Sequence, residues 1–453
     1  MITRRDTASL RIGCGAGFSG DRIDPAVILA TRGKLDWLVF ECLAERTIAL
    51  AQQARSQDPE AGYDPLLVER IEAVLPACRA NGTRIITNMG AANPRAAAAR
   101  IARLARERGW HGLKIAAVTG DDVLATVTGS EHRLLETGGQ VAALGSQLVS
   151  ANAYLGAAPV VEAIAQGAHL IITGRVADPA LFLAPQVAAF GWRWDDWNAL
   201  GQGTVVGHLL ECAGQVTGGY FADPETLPVP GLANLGFPLA EVRPDGAAVI
   251  TKVPDTGGRV TTLTCKAQLL YELHDPAAYL TPDVVADFSG VRFTETGADR
   301  VVARGGAGRQ RPDSLKVSVG YRDGFVGEGQ ISYAGPGAVA RGRLALKIVD
   351  ERLRQMQVPC DELRSELIGV DALHGRAGRP VGAEPSEVRV RVAGRTTTAA
   401  AARKIGAEVE ALYTNGPAGG GGAVKSVREV LAIGTTFIRR ELVPCSVHCE
   451  VIP

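Results

Sequence analysis

No apolar run in this 453-residue chain approaches the ~18 residues that a membrane-spanning helix needs, so no transmembrane segment is predicted. Charge of one sign is missing too. The 48 Lys plus Arg residues balance 48 Asp plus Glu residues, which leaves neither a basic footprint for nucleic acid nor an attraction to anionic membranes. The eight cysteines are scattered and form no disulfide framework. Cys445 and Cys449 are close, but no second pair completes a zinc set, so no metal and no cofactor is predicted. Met1–Leu10 lacks the apolar stretch of a secretory signal. There is no low-complexity tail and no strong internal repeat. These absences predict a reduced, cytoplasmic protein. Zero net charge weakens colloidal repulsion, which suits a homo-oligomer.

What remains is ordinary globular material, 46% apolar and 21% charged, in a chain long enough for two domains. Over the first ~190 residues one device repeats: a short apolar run, then glycine and polar residues, then a helix. The runs are Ile12–Cys14, Trp37–Phe40, Arg84–Thr87, Leu113–Val118, Gln147–Ser150 and His169–Thr173. Asp24-Pro25, Asp64-Pro65, Asn93-Pro94 and Asp178-Pro179 read as caps followed by proline at the first helical position. Gly33, Gly82, Gly109 and Gly167 read as helix ends. Alternating strands and helices predict an α/β fold with an N-terminal doubly wound, mostly parallel sheet. Ligands of such sheets sit beyond the carboxyl ends of the strands.

After Trp197 the composition shifts. Gly201–Gly219 is glycine-rich, and Pro224, Pro228, Pro230 and Pro238 follow, which places a domain boundary at 222/223. Beyond it, β-type alternation at Ala247–Val253, Arg259–Thr264, Gly290–Phe293, Arg300–Val302, Lys316–Tyr321 and Val388–Val392 predicts antiparallel strands. Helices are expected at Arg341–Gln355 and Thr397–Leu412. Residues 223–453 thus read as an α+β domain.

The candidate chemistry gathers behind the early strands. The loop Gly13–Phe18, with Cys14, has glycines like those of a dinucleotide turn, but their spacing does not match that fingerprint; a tight active-site turn is the alternative. Glu41 and Glu45, four apart, share a face if the helix has begun, and neighbouring carboxylates can split their pKa values into acid and base. Glu45 could equally pair with a cation. Asn88, Asn152 and Tyr154 follow other strands. Arg175 suits a carboxylate or phosphate, and Asp178 caps the next helix or acts in catalysis. His208, Glu211 and Cys212, spaced i, i+3 and i+4, share a helix face that could hold a metal pair, a proton relay or an activated thiol, or simply pack against the sheet. Asn415–Gly422 contains four consecutive glycines; Gly419, Gly420 and Gly421 could cradle an anion, serve as a hinge, or allow a close contact.

Several of these stretches together resemble the acyclic terpene utilisation (AtuA) family: Gly13–Asp21, Ser150–Gly156, Thr173–Arg175, Gly207-His208 with Glu211-Cys212, Gln268–Glu272 and the Asn415–Gly422 loop. The likeness runs over nearly the whole chain, without the extra C-terminal domain of some longer members. It implies breakdown of citronellol- or geraniol-type acyclic terpenes through acyl-CoA intermediates. The expected function is a catabolic enzyme acting on a branched acid, or on its CoA thioester as the small-molecule partner. The chemistry expected is hydration/dehydration or carbon–carbon cleavage. Glu41 or His208 would be the base, with Glu211, Cys212 and Asp178 beside them. Arg175, Asn152, Asn88, Tyr154, Cys14 and the Gly419–Gly421 loop would hold the substrate. A non-catalytic subunit bound to an acyl-CoA enzyme, and a nucleotide-binding oxidoreductase, are the alternatives.

Overall fold

The computed structural model describes residues 9–375 and 384–453. The chain folds as two compact units, residues 1–320 with 433–453, and residues 321–432. The first is built on five parallel strands: β1 (Leu10–Ala16), β2 (Trp37–Phe40), β3 (Arg84–Thr87), β6 (Leu170–Thr173) and β4 (Lys114–Thr119), side by side in that order. Their interior side chains are apolar and buried, as strands covered on both faces require. The helices between them are α1 (Asp24–Arg32), α2 (Glu45–Gln57), α3 (Leu67–Asn81), α4 (Pro94–Glu107), the short α5 (Leu124–Val127), α6 (Ala158–Ala165) and α7 (Asp178–Phe190).

The run at Gln147–Ser150 does form a strand, β5 (Leu148–Ala153), but it leaves this sheet and pairs with β14 (Ser314–Ala334). Tyr154 N–H just beyond it donates to the Lys316 carbonyl at 2.9 Å. The expected caps divide. Asn93 caps α4 by accepting from Ala96 N–H at 3.3 Å, whereas Asp24 and Asp178 make no cap hydrogen bond and Asp64 accepts from Leu66 N–H at 2.8 Å, one residue ahead of α3. Asp178 is the first residue of α7 and is held by Arg175; Asp64 faces Arg70. Gly82, Gly109 and Gly167 take the left-handed conformation, but Gly33 stays right-handed at φ −71°.

The stretch that reads as a linker is interior to the first unit. α8 (Trp197–Leu210) is buried along nearly its whole length. β7 (Pro238–Val242) then lies antiparallel on β1, followed outward by β8 (Ala248–Lys252), β12 (Arg300–Arg304) and β11 (Arg292–Gly297). At the other edge β18 (Ser446–Val451) lies antiparallel on β4. The residues Arg259–Thr264 are not a strand: Thr261 and Thr264 form a capping box that starts α9 (Thr262–Leu270). β9 (Tyr279–Leu280), β10 (Val285–Asp287) and β13 (Ala307–Arg309) make a small antiparallel sheet.

The second unit is an antiparallel sheet under helices. β15 (Glu362–Ile368), β16 (Glu387–Thr396), β14 and β17 (Gly421–Arg439) lie in that order. α10 (Ala338–Gln355) and α11 (Ala399–Glu410), followed by the single turn α12 (Leu412–Asn415), supply its helices. Alternate strand residues Ile331, Tyr333, Leu367, Val388, Val390 and Val392 form one core with Val349, Ile405 and Val409. The chain is thus a mixed α/β protein, part parallel and part antiparallel. Among the described residues no helix is long and apolar enough to cross a membrane.

Candidate functional site

A cavity of about 1390 Å³ opens beyond the carboxyl ends of β1, β2 and β6. Gly17, Phe18 and Asp21 come to it from the β1 loop, Glu41 and Glu45 from the β2 loop, and Asp178 from the β6 loop. Its other walls come from the end of α8 (Glu211, Cys212), the end of α9 (Tyr271, Glu272), Tyr279, Lys316 and Phe437. Phe18, Leu232, Leu235, Phe237, Tyr279 and Leu315 give it a mainly apolar surface. That size and lining suit an elongated apolar ligand.

Four of its carboxyl groups differ sharply in their surroundings. Glu41 is buried; its Oε1 accepts from Leu43 N–H at 2.9 Å and from the Asn88 amide at 2.8 Å. Burial pushes its pKa up to about 7, against the opposing pull of Arg175 and these hydrogen bonds. Glu45 is the first residue of α2 and sits against Tyr154 Oη (2.5 Å) and Lys316 Nζ (3.0 Å). Burial would raise it, but the phenol and the ammonium outweigh that and hold it down to about 2. The two glutamates therefore do not share a helix face; Glu41 precedes the helix. Asp21 is raised by burial, although Gly17 N–H donates to its Oδ2 at 2.9 Å.

Glu211 is the fourth. Its Oε1 lies 2.7 Å from His208 Nδ1. His208 Nε2 lies 3.1 Å from the Leu269 carbonyl, which only accepts, so Nε2 carries a hydrogen and is not free to act on a ligand. One further proton is shared between Nδ1 and the Glu211 carboxyl. Burial raises Glu211; for His208 burial acts downward, but the Glu211 charge and its hydrogen bond outweigh it and raise the imidazole. The ring is buried between Tyr279 and Phe288, with centroids 5.2 and 5.5 Å away. Glu211, not His208, meets the cavity, and its Oε2 is enclosed without a partner.

The other expected site residues separate into those at the cavity and those behind it. Glu41, Tyr154, Asp178, Glu211 and Cys212 line it. Asn88 stands behind Glu41, taking Cys42 N–H on its Oδ1 at 2.7 Å. Asn152 donates to Asp121 at 2.9 Å and does not reach the cavity. Arg175 is fully buried, and its guanidinium is taken up by the carbonyls of Leu43 and Val176, by Asp178, and by the Tyr154 ring 4.5 Å away. Four of its five N–H groups are so held, and it does not line the cavity. Cys14 is fully buried with its thiol on the Ala16 carbonyl at 3.2 Å, and burial pushes its pKa up. Burial likewise raises Cys212, so neither thiol is an activated thiolate.

The glycines of the first loop serve packing. A Cβ on Gly17 would stand 2.6 Å from the Cys212 backbone. Gly17 N–H is already taken by Asp21, at 2.9 Å. Gly419, Gly420 and Gly421 belong to the second unit, where Gly420 lies over Ile331 and Tyr333, and the cavity lining comes entirely from the first.

Sequence reasoning overlooked Lys316, Tyr279 and Glu272 as site residues. They lie beyond the stretch that reads as a linker. The family-like stretch Gln268–Glu272 ends on Glu272 and the predicted strand Lys316–Tyr321 begins on Lys316, but neither pattern marks a side chain that meets a cavity.

Fold and cavity together describe an α/β protein with a mainly apolar cavity and a few buried acids at its strand ends. The chain belongs to the acyclic terpene utilisation family: the pattern of family protein AtuA matches residues 10–449. Membership ties it to acyclic terpene utilisation. No curated protein matches it.

Proposed function

We propose that the protein is a catabolic enzyme that adds water to, or removes it from, a branched acyl thioester bound in this cavity. Glu41 and Glu211 act as the acid–base pair. The observation that carries this reading is the pair itself: two buried carboxyl groups with raised proton affinity meet one apolar cavity, on separate loops. A carboxyl near neutrality can both take and give a proton at the pH of the cell.

In the hydration direction Glu41 takes a proton from water as the water oxygen joins the β-carbon of an α,β-unsaturated thioester. Glu211 gives its proton to the α-carbon. Water's two hydrogens are thus accounted for once Glu41 releases, and Glu211 regains, one proton through solvent. A thioester suits the cavity better than a free acid. Arg175 is held behind the cavity by Leu43, Val176 and Asp178, Lys316 is paired with Glu45, and the lining arginine, Arg22, stands on the exposed rim with Nη1 on the Leu232 and Ala233 carbonyls. The family's link to terpene utilisation supports a branched acyl chain.

The test is turnover of branched enoyl thioesters by purified protein, followed by loss of the conjugated double bond and by oxygen-18 incorporation from labelled water. Glu41→Gln and Glu211→Gln should each keep the fold and lower kcat by ~10²–10⁴-fold. Two product fragments in place of one hydrated product would shift the reaction to carbon–carbon cleavage. No turnover by isolated protein that begins when an acyl-CoA enzyme is added would overturn the reading in favour of an accessory subunit.

A further inference from the structure

Adding water to an enoyl thioester moves negative charge onto its carbonyl oxygen, and that oxygen needs hydrogen-bond donors set in advance. The donors expected from sequence are elsewhere: Asn152 is turned to Asp121, and Arg175 is held behind the cavity. Among the described residues two Lys or Arg side chains line the cavity, Arg22 on the rim and Lys316. The pairing of β5 with β14 brings Lys316 there: its carbonyl takes Tyr154 N–H at 2.9 Å, which fixes the two residues side by side. Their side chains meet again at Glu45, whose Oε1 accepts from Tyr154 Oη at 2.5 Å and from Lys316 Nζ at 3.0 Å. Lys316 Nζ also lies 4.8 Å from the centre of the Tyr154 ring, and all three residues line the cavity. This cluster is tied to the β2 loop. The Tyr154 ring holds Arg175 at 4.5 Å, Arg175 donates to the Leu43 carbonyl, and Leu43 N–H donates to Glu41 Oε1 at 2.9 Å.

We propose that the Lys316 ammonium holds the thioester carbonyl by a hydrogen bond and takes up the enolate charge as water adds. This rests on the reading of the site as one that hydrates a thioester. An ammonium has three N–H donors; Glu45 takes one and leaves two for a ligand. Tyr154 has a single hydroxyl hydrogen, and Glu45 has it. Glu45 both fixes the ammonium and cancels its charge, so the pair suits a neutral carbonyl better than a carboxylate. As the water oxygen bonds to the β-carbon, Glu41 takes the water proton. The electron pair of the double bond moves through the α-carbon to the carbonyl oxygen, where Lys316 meets it. It returns as Glu211 gives its proton to the α-carbon. Lys316 keeps its own protons throughout, so its part is electrostatic.

The experiment is infrared spectroscopy of a saturated branched acyl-CoA, its carbonyl labelled with carbon-13, bound to whole protein. A saturated thioester cannot add water, so the readout is independent of turnover. Calorimetry measures its binding in parallel. The carbonyl band should lie at higher frequency on Lys316→Met than on wild type, and return toward wild type on Lys316→Arg. Both variants should melt close to wild type, since a part-exposed ion pair adds little stability. With a branched enoyl thioester, Lys316→Met should lower kcat by ~10²–10³-fold, the usual loss of one oxyanion donor, with KM nearly unchanged. A band at the same frequency on wild type and Lys316→Met, with thioester bound to both, overturns the proposal even if enoyl thioesters turn over. A moved band without turnover upholds Lys316 as the holder of the carbonyl and sinks the hydration instead. A wild-type protein that binds no branched thioester sinks the reading beneath the proposal, and the proposal with it.

Discussion

Arg175 shows how far a residue's type can be separated from its role. A lone arginine after a strand-ending glycine is the natural holder of an anionic ligand, and the sequence contains nothing against that. What decides the matter is geometry: Gly174 lies so close to Asp121 that a Cβ would stand 2.5 Å from the carboxylate, and Arg175 N–H donates to the same carboxylate at 3.0 Å. The backbone is thereby turned inward, and the guanidinium meets two carbonyls instead of the cavity. A buried charge so satisfied is structural, and removing its hydrogen bonds is expensive. Arg175→Lys, which cannot reproduce the fork, should lower stability by ~2–4 kcal/mol while leaving the KM for a thioester within a few-fold of wild type. Denaturant melts paired with kinetics check this. A raised KM with unchanged stability would put Arg175 back in the binding site. The same limit applies to His208: its spacing to Glu211 was readable as a shared face, but the Leu269 carbonyl that occupies Nε2 comes from 61 residues away.

At the scale of elements, the sequence was most legible where apolar runs are short and bounded. Trp37–Phe40 and Arg84–Thr87 coincide with β2 and β3, because burial on both faces keeps the residues between their ends apolar. It was least legible where pairing depends on distant partners. β5 looks like its neighbours, yet it pairs with β14, and β7 joins β1 from beyond a proline-rich stretch that reads as a linker. The glycines of α8 misled in the same way. They suggest flexibility but serve close packing: a Cβ on Gly207 would stand 2.6 Å from the Pro179 carbonyl oxygen on α7. Alanine ordinarily favours a helix over glycine by up to ~1 kcal/mol. Here the contact is backbone and cannot swing aside, so α7 and α8 must move apart, and overpacking should win by ~1–3 kcal/mol. Gly207→Ala should therefore unfold at lower urea concentration with little change in slope. A variant more stable than wild type would show that the two helices do not approach this closely.

At the scale of the whole molecule, buried carboxyl groups couple stability to pH in a direction opposite to most acid unfolding. Burial raises Asp121 and Asp283 to about 6 and Glu41 to about 7. In the unfolded chain such groups titrate near pH 4, so the folded protein binds more protons between about pH 4 and 7. The stability they contribute is full below the unfolded values and is lost as pH rises through the folded ones. Glu45, held down to about 2, works the other way: its contribution is present above its unfolded value and is lost as pH falls. Above about pH 4 the first trend dominates, so these groups together make the protein less stable as pH rises from about 4 to 7. Asp283 isolates the first. Both its oxygens take Ala157 N–H, at 3.0 and 2.9 Å, so an asparagine keeps an acceptor there but cannot ionise. Its raised pKa corresponds to about 3 kcal/mol across that window. Wild type should melt at a higher temperature at pH 5.5 than at pH 7.5, at matched ionic strength, and Asp283→Asn should close part of that gap by gaining stability at pH 7.5. A wild-type Tm that climbs steadily from pH 5 to pH 8, or an Asp283→Asn variant with the wild-type slope, would show that these carboxyls are not carried into the fold with their protons.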